Sequence, residues 1–256
     1  MVRCARKKSA SGIYHIMMRG INRQDIFFDD EDRCRFLETI KRIKESGSCI
    51  IYGYCLMGNH IHLLLHEKEE ELSTIMKRLG TSYAWWYNKK YDRVGHVFQN
   101  RFQSEIVETE VYLLGVLRYI HNNPVKAALV AMPDHYKWSS CQAYYGRQDS
   151  FDMINTSFIL DTLNSNRETA IKQFADFMQK DNTDQVMDFV VKQRKSDEDL
   201  AQEVKELLNG QPAGILQSLE IDKRNKIIRQ IKGVEGVTQR QIARVTGIHQ
   251  SIIFKV

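Results

Sequence analysis

The alternation of apolar and polar positions divides the chain into elements before any single residue stands out. Gly12-Ile13-Tyr14-His15-Ile16-Met17-Met18-Arg19-Gly20 is rich in β-formers and closed by a glycine, which predicts a first strand. From Asp29 to Ser46 the pattern turns helical. Acids crowd the first turn, Phe36, Leu37, Ile40 and Ile43 recur at helical spacing, and Gly47 ends the run. Ser48 to Met57 predicts a second strand, Gly58-Asn59 a hairpin turn, and His60-Ile61-His62-Leu63-Leu64-Leu65-His66 the returning strand. Glu69 to about Tyr91 reads as a long helix and Gln103 to Val107 as a short strand. Thr109-Glu110 then opens a helix that Pro124 is expected to stop after Asn122-Asn123. The order βαββαβα predicts an α+β fold, a ferredoxin-like antiparallel sheet with helices on one face.

The chain changes character after this domain. Tyr136 to Tyr145 predicts a short helical tail with Trp138 packed back on the sheet domain, and residues 151–180 hold two weak amphipathic segments. The polar stretch Asp181 to Asp199 reads as a linker. Lys223 to Lys232 is helical, Gly233-Val234-Glu235-Gly236 breaks it, and Thr238-x-x-Gln241 restarts a helix with a capping box. Gly247 makes a turn and His249 begins a third helix. Helix, short glycine turn and helix is the helix-turn-helix pattern, and the arginines of its first helix favour DNA over an ordinary helical hairpin. The chain stops at Val256, barely two turns into the last helix, so that helix is expected to be cut short. The division expected is a sheet domain over 1–150, a helical extension and linker over 151–195, and a helix-turn-helix domain over 196–256.

Composition adds bounds. Hydrophobic content of 43% and charged content of 27% are those of an ordinary soluble protein, and the net charge of +5 does not by itself demand a polyanionic partner. The distribution says more. Arg3, Arg6, Lys7, Lys8, Arg19 and Arg23 precede most of the acids, and Lys89, Lys90, Arg93 and Arg101 form a second cluster. Such groups meet phosphate or simply solvate a face. Cys4, Cys34, Cys49, Cys55 and Cys141 are odd in number and lack zinc-knuckle or redox spacing, so reduced thiols are expected. With no apolar run of about 18 residues and no secretory h-region, a cytoplasmic protein outside the membrane is expected.

Candidate chemistry begins at His60-Ile61-His62. On a strand alternate side chains share a face, so both imidazoles point one way while Ile61, Leu63 and Leu65 point the other. Random placement of 8 histidines in 256 residues gives roughly 0.25 such pairs, so the pair needs partners. On the helix from Glu110, Tyr112, Val116, Tyr119 and Asn123 line one face beside an apolar stripe of Leu113, Leu117 and Ile120. The aromatic group Tyr83, Trp85, Trp86 and Tyr87 reads as packing before base stacking. His66 shares the histidine face but lies farther along the strand, and His121 points elsewhere on its helix.

These residues carry a resemblance. His60-Ile61-His62 is the HUH motif, and Tyr119-x-x-x-Asn123-Pro124-Val125 resembles the catalytic-helix signature of single-tyrosine HUH transposases, in the form of the REP-associated branch. Tyr14-His15-Ile16-Met17, Arg19-Gly20-Ile21-Asn22-Arg23, Ile26-Phe27, Leu56-Met57-Gly58-Asn59, Gly95-His96-Val97-Phe98-Gln99 with Arg101-Phe102, and Trp138-Ser139-Ser140 agree over about residues 10 to 146. Gly58 stands where many relatives have proline. Gly236-Val237-Thr238 with Arg240-Gln241-Ile242-Ala243-Arg244 resembles DnaA-type helix-turn-helix domains.

The resemblance implies a transposase that cuts and rejoins single-stranded or hairpin DNA. Tyr119 would be the nucleophile, forming a 5′-phosphotyrosine and releasing a 3′-hydroxyl. His60, His62 and Asn123 would hold Mg²⁺ or Mn²⁺. An ordinary tyrosine pKa near 10 means that Tyr119 needs activation. Arg19, Arg23, Lys89, Lys90 and Arg101 are candidate phosphate contacts. Arg240 and the recognition-helix residues His249, Gln250 and Ser251 are candidates for duplex contact. Relatives work as homodimers with shared sites or as monomers. The rival readings are an HUH replication or mobilisation nickase and a catalytically silent DNA-binding regulator descended from a transposase.

Overall fold

The structure is a computed structural model that describes residues 6–147, 151–180, 186, 195–234 and 236–256. It divides into two compact units, Met1–Asp188 and Phe189–Val256.

The first unit is built on a four-stranded antiparallel sheet of β1 (Ile13–Arg19), β2 (Cys49–Leu56), β3 (His60–Glu67) and β4 (Gln103–Ile106), in the order β2-β3-β1-β4. Helix α1 (Asp30–Glu45) joins β1 to β2, and α2 (Leu72–Lys90) joins β3 to β4. Asp29 caps α1 by accepting from the Asp32 backbone N–H at 3.0 Å, with Asp32 answering at the cap, so the run of acids seen in the sequence is the first turn of a helix. This is the ferredoxin-like βαββαβ topology.

Strand alternation gives the sheet two different faces. Tyr14, Ile16 and Met18 of β1 and Ile61, Leu63 and Leu65 of β3 join one core with α1 and α2. Ile13 of β1 and Leu64 of β3 belong to a second core on the opposite face, beneath α3 (Glu110–Lys126). The two crossover helices share one face, and the helix after β4 covers the other. Gly53 in β2 allows that helix to lie close, because a Cβ there would stand 2.6 Å from Leu117 Cδ1.

Pro124 does not stop α3. The helix runs on to Lys126, with Ala127 as its cap and Ala128 at φ +55° beyond it. So near the end of a helix a proline removes one ladder bond and leaves little helix to break, and the Leu129 N–H closes the turn on the Pro124 carbonyl at 2.9 Å. The segment after it holds a short 3₁₀ turn at Pro133–His135 and α4 (Cys141–Tyr144), with Trp138 in the α1/α2 core. The helices α5 (Ser157–Leu163) and α6 (Arg167–Gln179) then pack onto the α3 face through Ile159, Leu160, Phe174 and Met178.

The second unit is all helical: α7 (Asp197–Leu207), a 3₁₀ turn at Ala213–Gln217, α8 (Ile221–Gly233), α9 (Gln239–Thr246) and α10 (Gln250–Lys255). Its core includes Leu200, Val204, Leu216, Ile228, Ile231, Ile242 and Ile253. Most of the expected linker, 181–185 and 187–194, lies outside the described residues. Its end, Asp197 to Asp199, is corrected to the first turn of α7, where Ser196 caps the helix and the acids meet the positive end of its dipole. Thr238 caps α9, and Gly247 ends it in the left-handed region at φ +69°.

Candidate active site

The face of the sheet beneath α3 carries the histidines. Register sets them side by side: Arg19 pairs with His60, Met17 with His62, and His15 with Leu64 on one side and Glu105 on the other. His60 is half-buried and His62 fully buried. Their rings lie 5.2 Å apart at a steep angle of 85°.

Each ring has its Nδ1 engaged. His60 Nδ1 lies 2.6 Å from Asn59 Oδ1, and the Asn59 amide is oriented by its Nδ2, which donates to the Arg23 carbonyl at 3.2 Å. The oxygen therefore faces the imidazole, Nδ1 carries the proton, and Nε2 keeps its lone pair. His62 Nδ1 lies 3.1 Å from His15 Nε2. Burial, first, and then His15, His60 and Arg19 hold His62 well below the ordinary histidine pKa, so the ring is neutral.

Tyr119 comes down onto these rings from α3. It is buried, and its ring meets His62 edge-on at 5.4 Å and His15 at 5.8 Å. The entry to α3 is tied to the segment leading into β1: Glu108 accepts from the Ala10 and Ser11 backbone N–H groups, and Thr109 caps the helix at Tyr112. One turn beyond Tyr119, Asn123 donates through Nδ2 to the Tyr119 carbonyl at 2.8 Å, leaving its amide oxygen as the donor a cation would use. The tyrosine and both histidines of one chain thus meet on one face, a juxtaposition that spacing along the sequence left open.

Two imidazole nitrogens and an amide oxygen are donors that suit a divalent ion, and the Nδ1 contacts are of the kind that orient metal-binding histidines. Among the described residues, no group of three or more His, Cys, Asp or Glu side chains is arranged to hold a metal, so a site here depends on the Asn123 amide. The two remaining histidines of this face serve packing. His66 Nδ1 contacts the Tyr52 hydroxyl at 3.1 Å. His121 is buried against Tyr144 and Phe174 with its Nε2 2.8 Å from Ser140 Oγ, and burial lowers its pKa to about 3.

The basic residues separate into two groups. Arg19 is half-buried beside His60, and Arg23 is exposed on the turn that holds Asn59, at φ +61°. Arg101 is exposed, and Lys89 lies 5.3 Å from the ring of Trp85, which is 64% exposed. Lys90 is committed elsewhere: its ammonium is held by Asp29, Glu31 and Asp32 at 2.7 to 2.9 Å, and those contacts raise its pKa. Tyr83 and Tyr87 are core residues, which leaves Trp85 as the outward member of that aromatic group. In the second unit Arg240, His249, Gln250 and Ser251 are exposed, and His249 caps α10 by accepting from the Ser251 N–H at 3.3 Å.

Sequence reasoning gave no role to Lys126, whose Nζ stands 4.7 Å from the centre of the Tyr119 ring. Its signal is the spacing of seven residues, two turns along one helix face, visible only once the helix is carried through Pro124.

No helix among the described residues is long and apolar enough to cross a membrane. No curated protein matches the chain. A solved structure described as a REP-associated tyrosine transposase bound to a REP hairpin is similar over 60% of this chain and 92% of its own, at 16% identity and a TM-score of 0.49. Residues 8–123 match the family model described as "Transposase IS200 like", a span that contains His60, His62, Tyr119 and Asn123. That match makes residues 8–123 similar to a transposase family over a little under half of the chain.

Proposed function

We propose that the protein is a metal-dependent transposase that cleaves and rejoins single-stranded or hairpin DNA through Tyr119. The observation that carries the reading is the meeting of Tyr119 with the His60/His62 face in one chain, its ring 5.4 Å from that of His62. His60 Nε2, His62 Nε2 and the Asn123 amide oxygen would hold Mg²⁺ or Mn²⁺, which polarises the scissile phosphate when bound. Tyr119 Oη attacks phosphorus; the bond to the 3′ oxygen breaks and that oxygen takes up a proton, while the tyrosine proton is given up. The product is a 5′-phosphotyrosine, and attack by a DNA 3′-hydroxyl reverses the step without nucleotide hydrolysis. The Lys126 ammonium, 4.7 Å from the centre of the Tyr119 ring, would supply a positive charge beside the phosphate that Tyr119 attacks.

Arg19, Arg23 and Arg101 would take backbone phosphates near the site, with Lys89 beside Trp85 as a further contact. Lys90 is left out of that set because three carboxylates already hold it. The sheet domain would be the catalytic part, and α9 and α10 would add duplex contacts through Arg240, His249, Gln250 and Ser251. The test is incubation of the full chain with a pool of labelled hairpins carrying single-stranded flanks, with Mn²⁺, followed by denaturing electrophoresis. A denaturation-resistant adduct that needs the metal and disappears in Tyr119→Phe is expected. No adduct across the pool, or an equal adduct with Tyr119→Phe, overturns the reading.

A further inference from the structure

His15 lies at the centre of the site, fully buried on β1, and the chemistry above gives it no task. Its Nε2 is 3.1 Å from His62 Nδ1, and the two rings stack at 5.3 Å with an interplanar angle of 19°. On its other side Glu105, its cross-strand partner on β4, places a carboxylate oxygen 3.9 Å from His15 Nδ1. Glu105, His15 and His62 therefore form a chain of contacts, with the Glu105–His15 step longer than a hydrogen bond.

A neutral imidazole has one donor and one acceptor nitrogen, so two imidazoles in contact admit two proton arrangements. In one, His15 Nε2–H donates to His62 Nδ1; His62 then carries its proton on Nε2 and has no lone pair to offer a cation. In the other, His15 accepts from His62 Nδ1–H, and His62 Nε2 is a ligand. The carboxylate biases the choice. At 3.9 Å it lies beyond a direct hydrogen bond, but a negative charge there favours the proton on the His15 nitrogen that faces it, which makes Nε2 the acceptor. We infer that Glu105 and His15 are positioning residues that favour the Nδ1–H tautomer of His62 and so present its Nε2 as a metal ligand. The same contacts hold both rings against Tyr119, whose edge-on contacts with them set how far the tyrosine sits from the sheet. His60 reaches the same tautomer by a different route, through the Asn59 amide. The inference deepens the proposed metal site and rests on it, although the proton arrangement is measurable without metal.

The full chain labelled with ¹⁵N-histidine, metal-free and at neutral pH, gives long-range ¹H–¹⁵N spectra that report each ring's tautomer. His15 and His62 are expected in the Nδ1–H form; His62 in the Nε2–H form overturns the inference. Outer partners of this kind typically change metal affinity about 10–100-fold. Titration with Mn²⁺ alone, followed by electron paramagnetic resonance, should therefore show at least about a tenfold loss in His15→Leu, while His15→Gln, which keeps an acceptor oxygen, stays close to the parent. Glu105→Ala, on an edge strand and partly exposed, serves where His15→Leu does not fold, and it should move His62 toward the Nε2–H form and weaken Mn²⁺ binding. Unchanged tautomer and affinity in folded Glu105→Ala would contradict the relay. Unchanged Mn²⁺ binding in His60→Ala would instead sink the metal site, leaving the tautomer result to stand by itself.

Discussion

The two faces of one sheet are built to opposite rules. Beneath α1 and α2 the strands present Tyr14, Ile16, Met18, Ile61, Leu63 and Leu65, all buried in an apolar core. Beneath α3 the same two strands present His15, Met17, His60, His62 and Leu64, so two imidazoles are fully buried and a third half-buried among apolar side chains. A one-residue slip of β3 would exchange the faces, and the apolar face is what forbids it. Its burial fixes the register that aligns the histidines, so the dry side of the sheet positions a site that it never touches. The polar face gains chemistry and carries the cost of buried rings, which contact each other through one nitrogen of His15 and one of His62.

Substitutions on the two faces should therefore break different things. Tyr119→Phe keeps the ring and the edge contacts with His15 and His62 but removes the hydroxyl. It should lower adduct formation by more than about a thousandfold with the melting temperature nearly unchanged. A large fall in stability would mean that the hydroxyl is structural. On the apolar face Leu63, 0% exposed, should cost about 2–5 kcal/mol as Leu63→Ala, read as a lower denaturant midpoint. Cleavage per folded molecule should survive that change. His60→Ala should show the reverse pattern, with stability shifted by less than about 1 kcal/mol and metal-dependent cleavage lost.

Acid should act through the histidine face. His121 stays neutral in the fold down to about pH 3, whereas an unfolded histidine takes its proton near 6.5. Above about 6.5 neither state binds that proton and the contribution is complete. As pH falls from there toward 3 the unfolded state binds more protons, and stability declines by up to about 1.4 kcal/mol per pH unit. Chemical denaturation across that window should show a shallower decline in His121→Asn; an unchanged slope would place the acid sensitivity elsewhere. The smallest expected effect is at Lys126. A cation over a tyrosine ring at an exposed position is worth about 0.5–1 kcal/mol, so Lys126→Ala should slow cleavage by about two- to fivefold, and no change would remove its role.

Much of the fold is legible in the sequence because its signals are local. The acids of α1, the glycine turn before His60 and the two-residue alternation of β3 each state their element without reference to the rest. Pro124 shows the limit of a local rule, since a breaker near a helix end costs one bond and α3 continues past it. The start of α7 shows another: Asp197, Glu198 and Asp199 look like linker until Leu200 and Val204 are seen to be buried. Within the site, His60, His62, Tyr119 and Asn123 come from motif and resemblance. His15 lies in a matching stretch but gains no role from it, and Glu105 is not singled out, because their meeting depends on which strands flank β1 and in what register. Neither is written in a strand read alone.

The central claim is that the histidine face and the tyrosine helix of a single chain make one site. Mixing Tyr119→Phe with His62→Ala tests it most directly, because each variant keeps the half the other lacks. With labelled hairpin DNA and Mn²⁺, the mixture should form no more adduct than either variant alone. Recovery of adduct in the mixture, carried by the chain that retains Tyr119, would show that the site is shared between chains and contradict the account.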